Sequence, residues 1–162
     1  KSELQKLALH AETCKEGRTT GEASTLICAE NVAALIEGMA TNALQVGDSL
    51  LAGQAGEAIA RLDALLDAGE PALRIVATLT GQIRGWLWVS LLEQQGERDV
   101  SVIAKAAGIG NPKRIYVMRK QLQGRPPQRF LNLLSRLLEV ETALKRGAIP
   151  SDAFRDGLLS TP

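Results

Sequence analysis

The sequence predicts an all-α protein: a helical bundle around one central, buried helix, preceded by a smaller and partial helical piece. Three observations carry this. The stretch Glu70–Gln95 places Ala72, Val76, Leu79, Ile83, Leu87 and Leu91 on one helical stripe, and Leu73, Ile75, Trp86, Trp88 and Val89 widen it. A helix apolar on most of its circumference has to be covered on several sides. Glycine follows nearly every apolar-periodic segment, and no stretch alternates with period two for long enough to make a strand. Aromatic residues supply only 3% of the chain, so the core is built from Leu, Ile, Val and Ala, which suits helix–helix packing.

Each element has its own signals. Leu4, Leu7, Ala8 and Ala11 form the apolar face of a short first helix, with Ser2 and Gln5 as its capping box and His10 at its end. Residues 14–24 are a polar loop, and Glu30–Ile36 is a second short helix with Val32, Leu35 and Ile36 inward. Asn42 caps a helix carrying Leu44, Leu50 and Leu51 that ends near Gly53. The next carries Ala58, Ile59, Leu62, Leu65 and Leu66, with Gly69 after it. The central helix starts at Pro71 and stops at Gly96. Its length suits a membrane span, but Arg74, Gln82 and Arg84 interrupt the run and argue for a protein core.

Beyond it, Asp99 or Ser101 caps a segment with Val102, Ile103 and Ala106 inward, stopped by Gly108. Asn111-Pro112 opens a helix with Ile115, Met118 and Leu122 inward and Gly124 behind it. Pro126-Pro127 starts a long helix whose Phe130, Leu133, Leu134, Leu137, Leu138 and Leu144 face one way, up to Gly147. Ser151 caps a last helix holding Phe154, Leu158 and Leu159. Short connections make successive helices antiparallel neighbours.

Little in the sequence reads as chemistry. With one histidine, His-based triads and multi-His metal sites are poor candidates, and neither GxxxxGK[ST] nor GxGxxG is present. Cys14 and Cys28 lack metal-ligand spacing and read as free thiols of a cytosolic protein. No catalytic, cofactor-binding or metal-ligating residue is expected. The anomaly is charge: between Val100 and Leu138 lie Lys105, Lys113, Arg114, Arg119, Lys120, Arg125, Arg129 and Arg136 without one Asp or Glu, although the whole chain carries a net charge of only +1. Such a block favours phosphate or an acidic protein surface, and equally reads as a solvated basic face whose aliphatic stems lie over the core. Inside it, Val102–Val117 is similar to a helix-turn-helix, so residues 99–124 also read as a free-standing DNA-binding domain with the helix from Pro112 in the major groove.

The succession of segments resembles one family, the C-terminal portion of the δ subunit of the bacterial DNA polymerase III clamp loader. LALHA at Leu7–Ala11 is similar to the family's Leu-Ala-Leu-Tyr-Ala, and ICAENVAALI at Ile27–Ile36 to its Ile, capping residue, acid and Val before a short helix. The run from Gly53 to Leu92 looks like the family's Ala-Leu, Leu-Leu, Gly-Glu-Pro and long helix with Gln and Arg. VIAKAAGIGNPKRIYVMRKQ and EVETALKRG resemble its Ile-Ala, Gly-Ile, Pro, Val, Lys-Gln series and its Asp, Lys-Thr-Gly ending. The order covers almost the whole chain. His10, Glu141 and Lys113 depart from the usual Tyr, Asp and aromatic.

The resemblance implies that residues 1–40 are the end of the helical lid domain and 41–162 the collar. The start at Lys1 rather than Met suggests a fragment lacking the N-terminal ATPase-like domain that contacts the sliding clamp. It further implies a cytoplasmic, non-catalytic subunit-interaction module, with the other clamp-loader subunits as partners through the collar, DNA in the assembled complex, no membrane and no cofactor. Nucleotidyl transfer belongs to the holoenzyme. Interfaces of this kind are anchored by aromatics and Arg. Arg84, Trp88, Arg119 and Lys145 are therefore the candidate interface residues, and Lys113, Arg114, Lys120 and Arg125 the candidate DNA or anion contacts. Two positions apart on a helix, Trp86 and Trp88 cannot face the same way, so one of them reaches the edge of the core unless both are buried.

Overall fold

The computed structural model describes residues 43–159. The helices expected before residue 42, His10, both cysteines and the Asn42 cap lie outside the described residues, as does the proposed lid segment 1–40. The described chain is all-helical: residues 43–52 (α1), Ala55–Asp67 (α2), Ala72–Gln94 (α3), Val100–Ala107 (α4), Arg114–Leu122 (α5), Pro127–Lys145 (α6) and Pro150–Leu159 (α7).

α3 is one unbroken helix of 23 residues and the axis of the bundle. It packs on α6, α4 and α5, while α7 closes the other end against α6 and α2. Ile75, Val76, Leu79, Ile83, Trp86 and Val89 of α3 are buried. Trp86 meets Phe130 of α6 with ring centroids 6.2 Å apart and planes tilted by 51°, within the separation at which aromatic pairs attract. No side chain caps the two long helices: Pro71 and Pro126 precede them in extended geometry, and Pro127 occupies a first-turn position of α6 where its missing N–H costs nothing. Asp99 caps α4: its Oδ1 accepts from the Ser101 N–H at 2.7 Å and the Val102 N–H at 3.4 Å. Gly69 and Gly96 adopt φ of +87° and +84° behind α2 and α3, a conformation that terminates a helix without a Cβ clash.

Two close approaches fix how the helices cross. A Cβ on Gly157 of α7 would run into the Val140 side chain of α6, and one on Gly47 of α1 into the Gln82 side chain of α3. The Gln82 amide lies over that glycine and donates to the Leu44 carbonyl at 3.1 Å and to Asp48 Oδ1 at 3.0 Å. Arg129 of α6 closes the end of α1, its guanidinium donating to the Leu50 and Leu51 carbonyls at 3.2 and 3.3 Å, where a cation satisfies the free carbonyls of a helix C-terminus.

Several inward assignments need correction. Val102 and Ala106 face solvent, and Ala104 and Ala107 line the core beside Ile103, because the stripe of α4 is rotated from the expected one. Leu138 is 63% exposed although it continues the leucine run of α6. Helix α5 begins at Arg114, after a turn in which Asn111 Oδ1 accepts from the Lys113 N–H at 3.0 Å, rather than at Pro112. α7 begins at Pro150, so Ser151 lies inside its first turn and is not its cap. The central helix is not covered all round: Leu73 and Trp88 remain open.

Candidate functional site

That open side of α3 is the most distinctive surface of the described residues. Leu73, Ala77, Gly81, Arg84 and Trp88 recur at spacings of three and four and share one stripe, and all five are exposed. Trp88 is 42% exposed where Trp86 is 2%; two residues on a helix turn them to opposite sides, one into the core and one out of it. On α6, Leu131, Leu138 and Lys145 are seven apart, hence on one stripe, and are exposed as well. A groove joins the two stripes, with Leu73, Ala77, Thr80 and Arg84 on one wall and Glu141 and Lys145 on the other. Lys145 Nζ pairs with Glu141 Oε1 at 2.5 Å. Arg84 has no ion-pair partner among the described residues.

The groove therefore brings together Arg84 and Lys145, and Trp88 lies one turn further along α3. Arg119 is elsewhere. Its Nε sits 2.7 Å from Glu93 Oε1 and its Nη2 donates to the Arg98 carbonyl at 3.3 Å, so it ties α5 to the end of α3. The acid-free block as a whole divides in this way. Arg119 and Arg129 brace the fold, Arg125 donates to the Gln121 carbonyl, and Arg114 faces Asp48. Burial raises the Asp48 carboxyl above its ordinary pKa, an effect only partly offset by Arg114, Arg61 and the Gln82 hydrogen bond. Lys105, Lys113 and Lys120 project into solvent, and Tyr116 and Val117 share the outer side of α5 with the last two.

A second cleft lies on the other flank of α3, between α1, α3 and the α4–α5 turn, lined by Asp48, Gln82, Trp86, Arg114 and Val117 among others. Gly81 borders both clefts. Glycine in a helix interior is about 1 kcal/mol less favourable than alanine, and a Cβ on Gly81 would meet nothing within 4 Å.

Sequence reasoning missed Leu73, Leu131 and Leu138 as open positions. The available signal was an apolar stripe wider than flanking helices can cover. No group of three His, Cys, Asp or Glu side chains able to hold a metal ion occurs among the described residues. α3 alone has the length and composition of a membrane span among these residues, but its buried side is seated on α4, α5 and α6 as the core helix.

Neither a curated protein nor a solved structure gave a match. The family described as "DNA polymerase III delta subunit, C-terminal domain" matches residues 40–159, which takes in every helix described above. With a glycine-punctuated bundle built on one central helix and most of its length matched, this chain belongs to the family of C-terminal domains of the DNA polymerase III delta subunit.

Proposed function

We propose that the chain is a non-catalytic assembly joint of the clamp loader: a collar domain that holds its subunit among the others while the sliding clamp is loaded onto DNA during replication. The observation that carries this is the open α3–α6 face, where Leu73 shares a groove with Arg84 and Lys145 and where Trp88 of α3 and Leu131 and Leu138 of α6 are exposed as well. Apolar contiguity rimmed by cations is what a protein-binding patch requires. Buried aromatics and arginines dominate such interfaces once covered. The division into a lid end at 1–40 and a collar at 41–162, the cytoplasmic location and the absence of an activity of its own belong to the same proposal. Contact with the sliding clamp is assigned to a separate N-terminal domain of the full-length δ protein.

The test is capture of the remaining clamp-loader subunits by full-length δ with Trp88→Ala, Arg84→Glu or Arg119→Glu. Loss of capture by the first two supports the joint at this face. Unchanged capture by both removes it. Arg119→Glu reports separately, since it breaks an internal ion pair before it reaches any partner.

A second reading rests on α5, whose outer side carries Lys113, Tyr116, Val117 and Lys120 with Arg114 and Arg125 nearby. In the assembled complex these residues would contact the DNA backbone. Such contacts weaken steeply as salt rises, so a DNA affinity of the complex that is unchanged by Lys113→Glu with Lys120→Glu eliminates them. Substantial duplex binding by this chain alone would instead favour a free-standing DNA-binding domain.

A further inference from the structure

We propose, building on the assembly-joint reading above, that a helix from a neighbour in the clamp loader crosses α3 directly over Gly81 and brings a carboxylate to Arg84. Among the described residues, Gly81 alone borders both clefts flanking α3, so the ridge that would separate them is lowest there. The two clefts form a saddle across the helix. Packing among the described residues gives no reason for the glycine. A Cβ at Gly81 meets nothing within 4 Å, whereas one at Gly85 comes within 3.8 Å of Met118, and Gly47 and Gly157 are held by close neighbours. A residue type that weakens the middle of a 23-residue helix is explained when a second backbone approaches it from outside.

The dimensions fit a helix. Leu73 lies about 12 Å and Trp88 about 10 Å from Gly81 along the axis at 1.5 Å per residue, so the interval of about 22 Å between them has room for an α-helix about 10–12 Å across. A rod lying in the saddle thus passes between two large apolar side chains, with the smallest residue at the point of crossing, as close helix packing requires. Charge selects the occupant. Lys145 is matched by Glu141 and Arg114 by Asp48, but Arg84, one turn from Gly81, has no carboxylate partner among the described residues. The crossing helix therefore presents an apolar ridge and an Asp or Glu beside it.

The experiment uses full-length δ with Gly81→Leu, Gly81→Ala and, as the same chemical change on a different open surface, Gly56→Leu, whose Cβ also meets nothing within 4 Å. Capture of the remaining clamp-loader subunits is measured alongside the melting temperature of each variant. Gly81→Leu should lower capture at least tenfold while melting no lower than the parent, Gly81→Ala should melt higher and lose less capture, and Gly56→Leu should match the parent. Parental capture by Gly81→Leu overturns the crossing. If Trp88→Ala and Arg84→Glu lose capture in that case, the open-face joint survives without it; if they do not, both fall. Should Gly81→Leu fail to fold, Gly81→Ala decides: undiminished capture by the stabilised variant overturns the crossing. Self-association of this chain in sedimentation, abolished by Gly81→Leu, would assign the saddle to a second copy and overturn a different clamp-loader protein as occupant.

Discussion

The two sides of α3 each carry a leucine and a tryptophan and do different things. Ile75, Leu79, Ile83 and Trp86 on one side are sealed by α4, α5 and α6; Leu73, Ala77, Gly81 and Trp88 on the other are open, with Arg84 among them. The presence of large apolar side chains does not distinguish them, although the open side also carries Ala77, Gly81 and Arg84. What does is the supply of neighbours: on the open side α6 meets α3 only across a groove, through Glu141 and Lys145. A helix apolar on most of its circumference thus need not be covered all round by its own chain.

Mutations sharpen the contrast, beginning with the largest effect. Ile83→Ala on the sealed side should cost about 2–5 kcal/mol, the penalty for a cavity in a packed core, read from the midpoint of urea unfolding. A small loss would mean that side is loosely packed. Gly157→Ala should be destabilising by about 1–3 kcal/mol through overpacking against Val140. Gly81→Ala, the same change in an open helix position, should stabilise by up to about 1 kcal/mol. Opposite signs in one thermal-melt series are the expected outcome, and equal signs would erase the distinction between internal and external glycines. Trp88→Ala should shift stability by no more than about 0.5 kcal/mol, as for a surface substitution, although it removes the larger of the exposed anchors.

The smallest effect concerns pH at the second cleft. Burial raises the Asp48 carboxyl, so over the window between its ordinary and its raised pKa the folded chain holds more protons than the unfolded one. Stability then falls as pH rises through that window. Asp48→Asn keeps an acceptor for Gln82 and removes the charge; its advantage over the parent should grow as pH rises from the ordinary aspartate pKa of about 4 through the raised one. An advantage that shrinks with pH would mean that the opposing Arg114 and Arg61 attractions dominate.

Much of the fold is legible in the sequence because local signals and burial agree. Pro71, Pro126-Pro127 and Asp99 set three helix starts, and Gly53, Gly69, Gly96, Gly108, Gly124 and Gly147 all take positive φ behind the helices they end. Ile115, Met118 and Leu122 turn inward as their spacing requires. What fails is what periodicity cannot supply. In the eight residues of α4 two apolar stripes compete, and Val102 loses to Ala104 and Ala107, because small residues let α3 come near. The candidate surface is half legible: Arg84, Lys145 and Trp88, selected by residue type, are neighbours, while Arg119, selected alike, is occupied by Glu93. Which cation is free depends on carboxylates distant in sequence, and only packing reveals it.

The most direct measurement uses the two tryptophans as opposite reporters. With 5-fluorotryptophan incorporated only into δ, each 19F resonance is assigned by Trp86→Phe and Trp88→Phe variants and its solvent isotope shift is compared before and after the other clamp-loader subunits are added. The Trp88 signal should be solvent-exposed when δ is free and lose its isotope shift on assembly, while Trp86 stays protected throughout. A Trp88 signal that remains exposed in the complete complex would contradict the assignment of the open α3–α6 face as the joint.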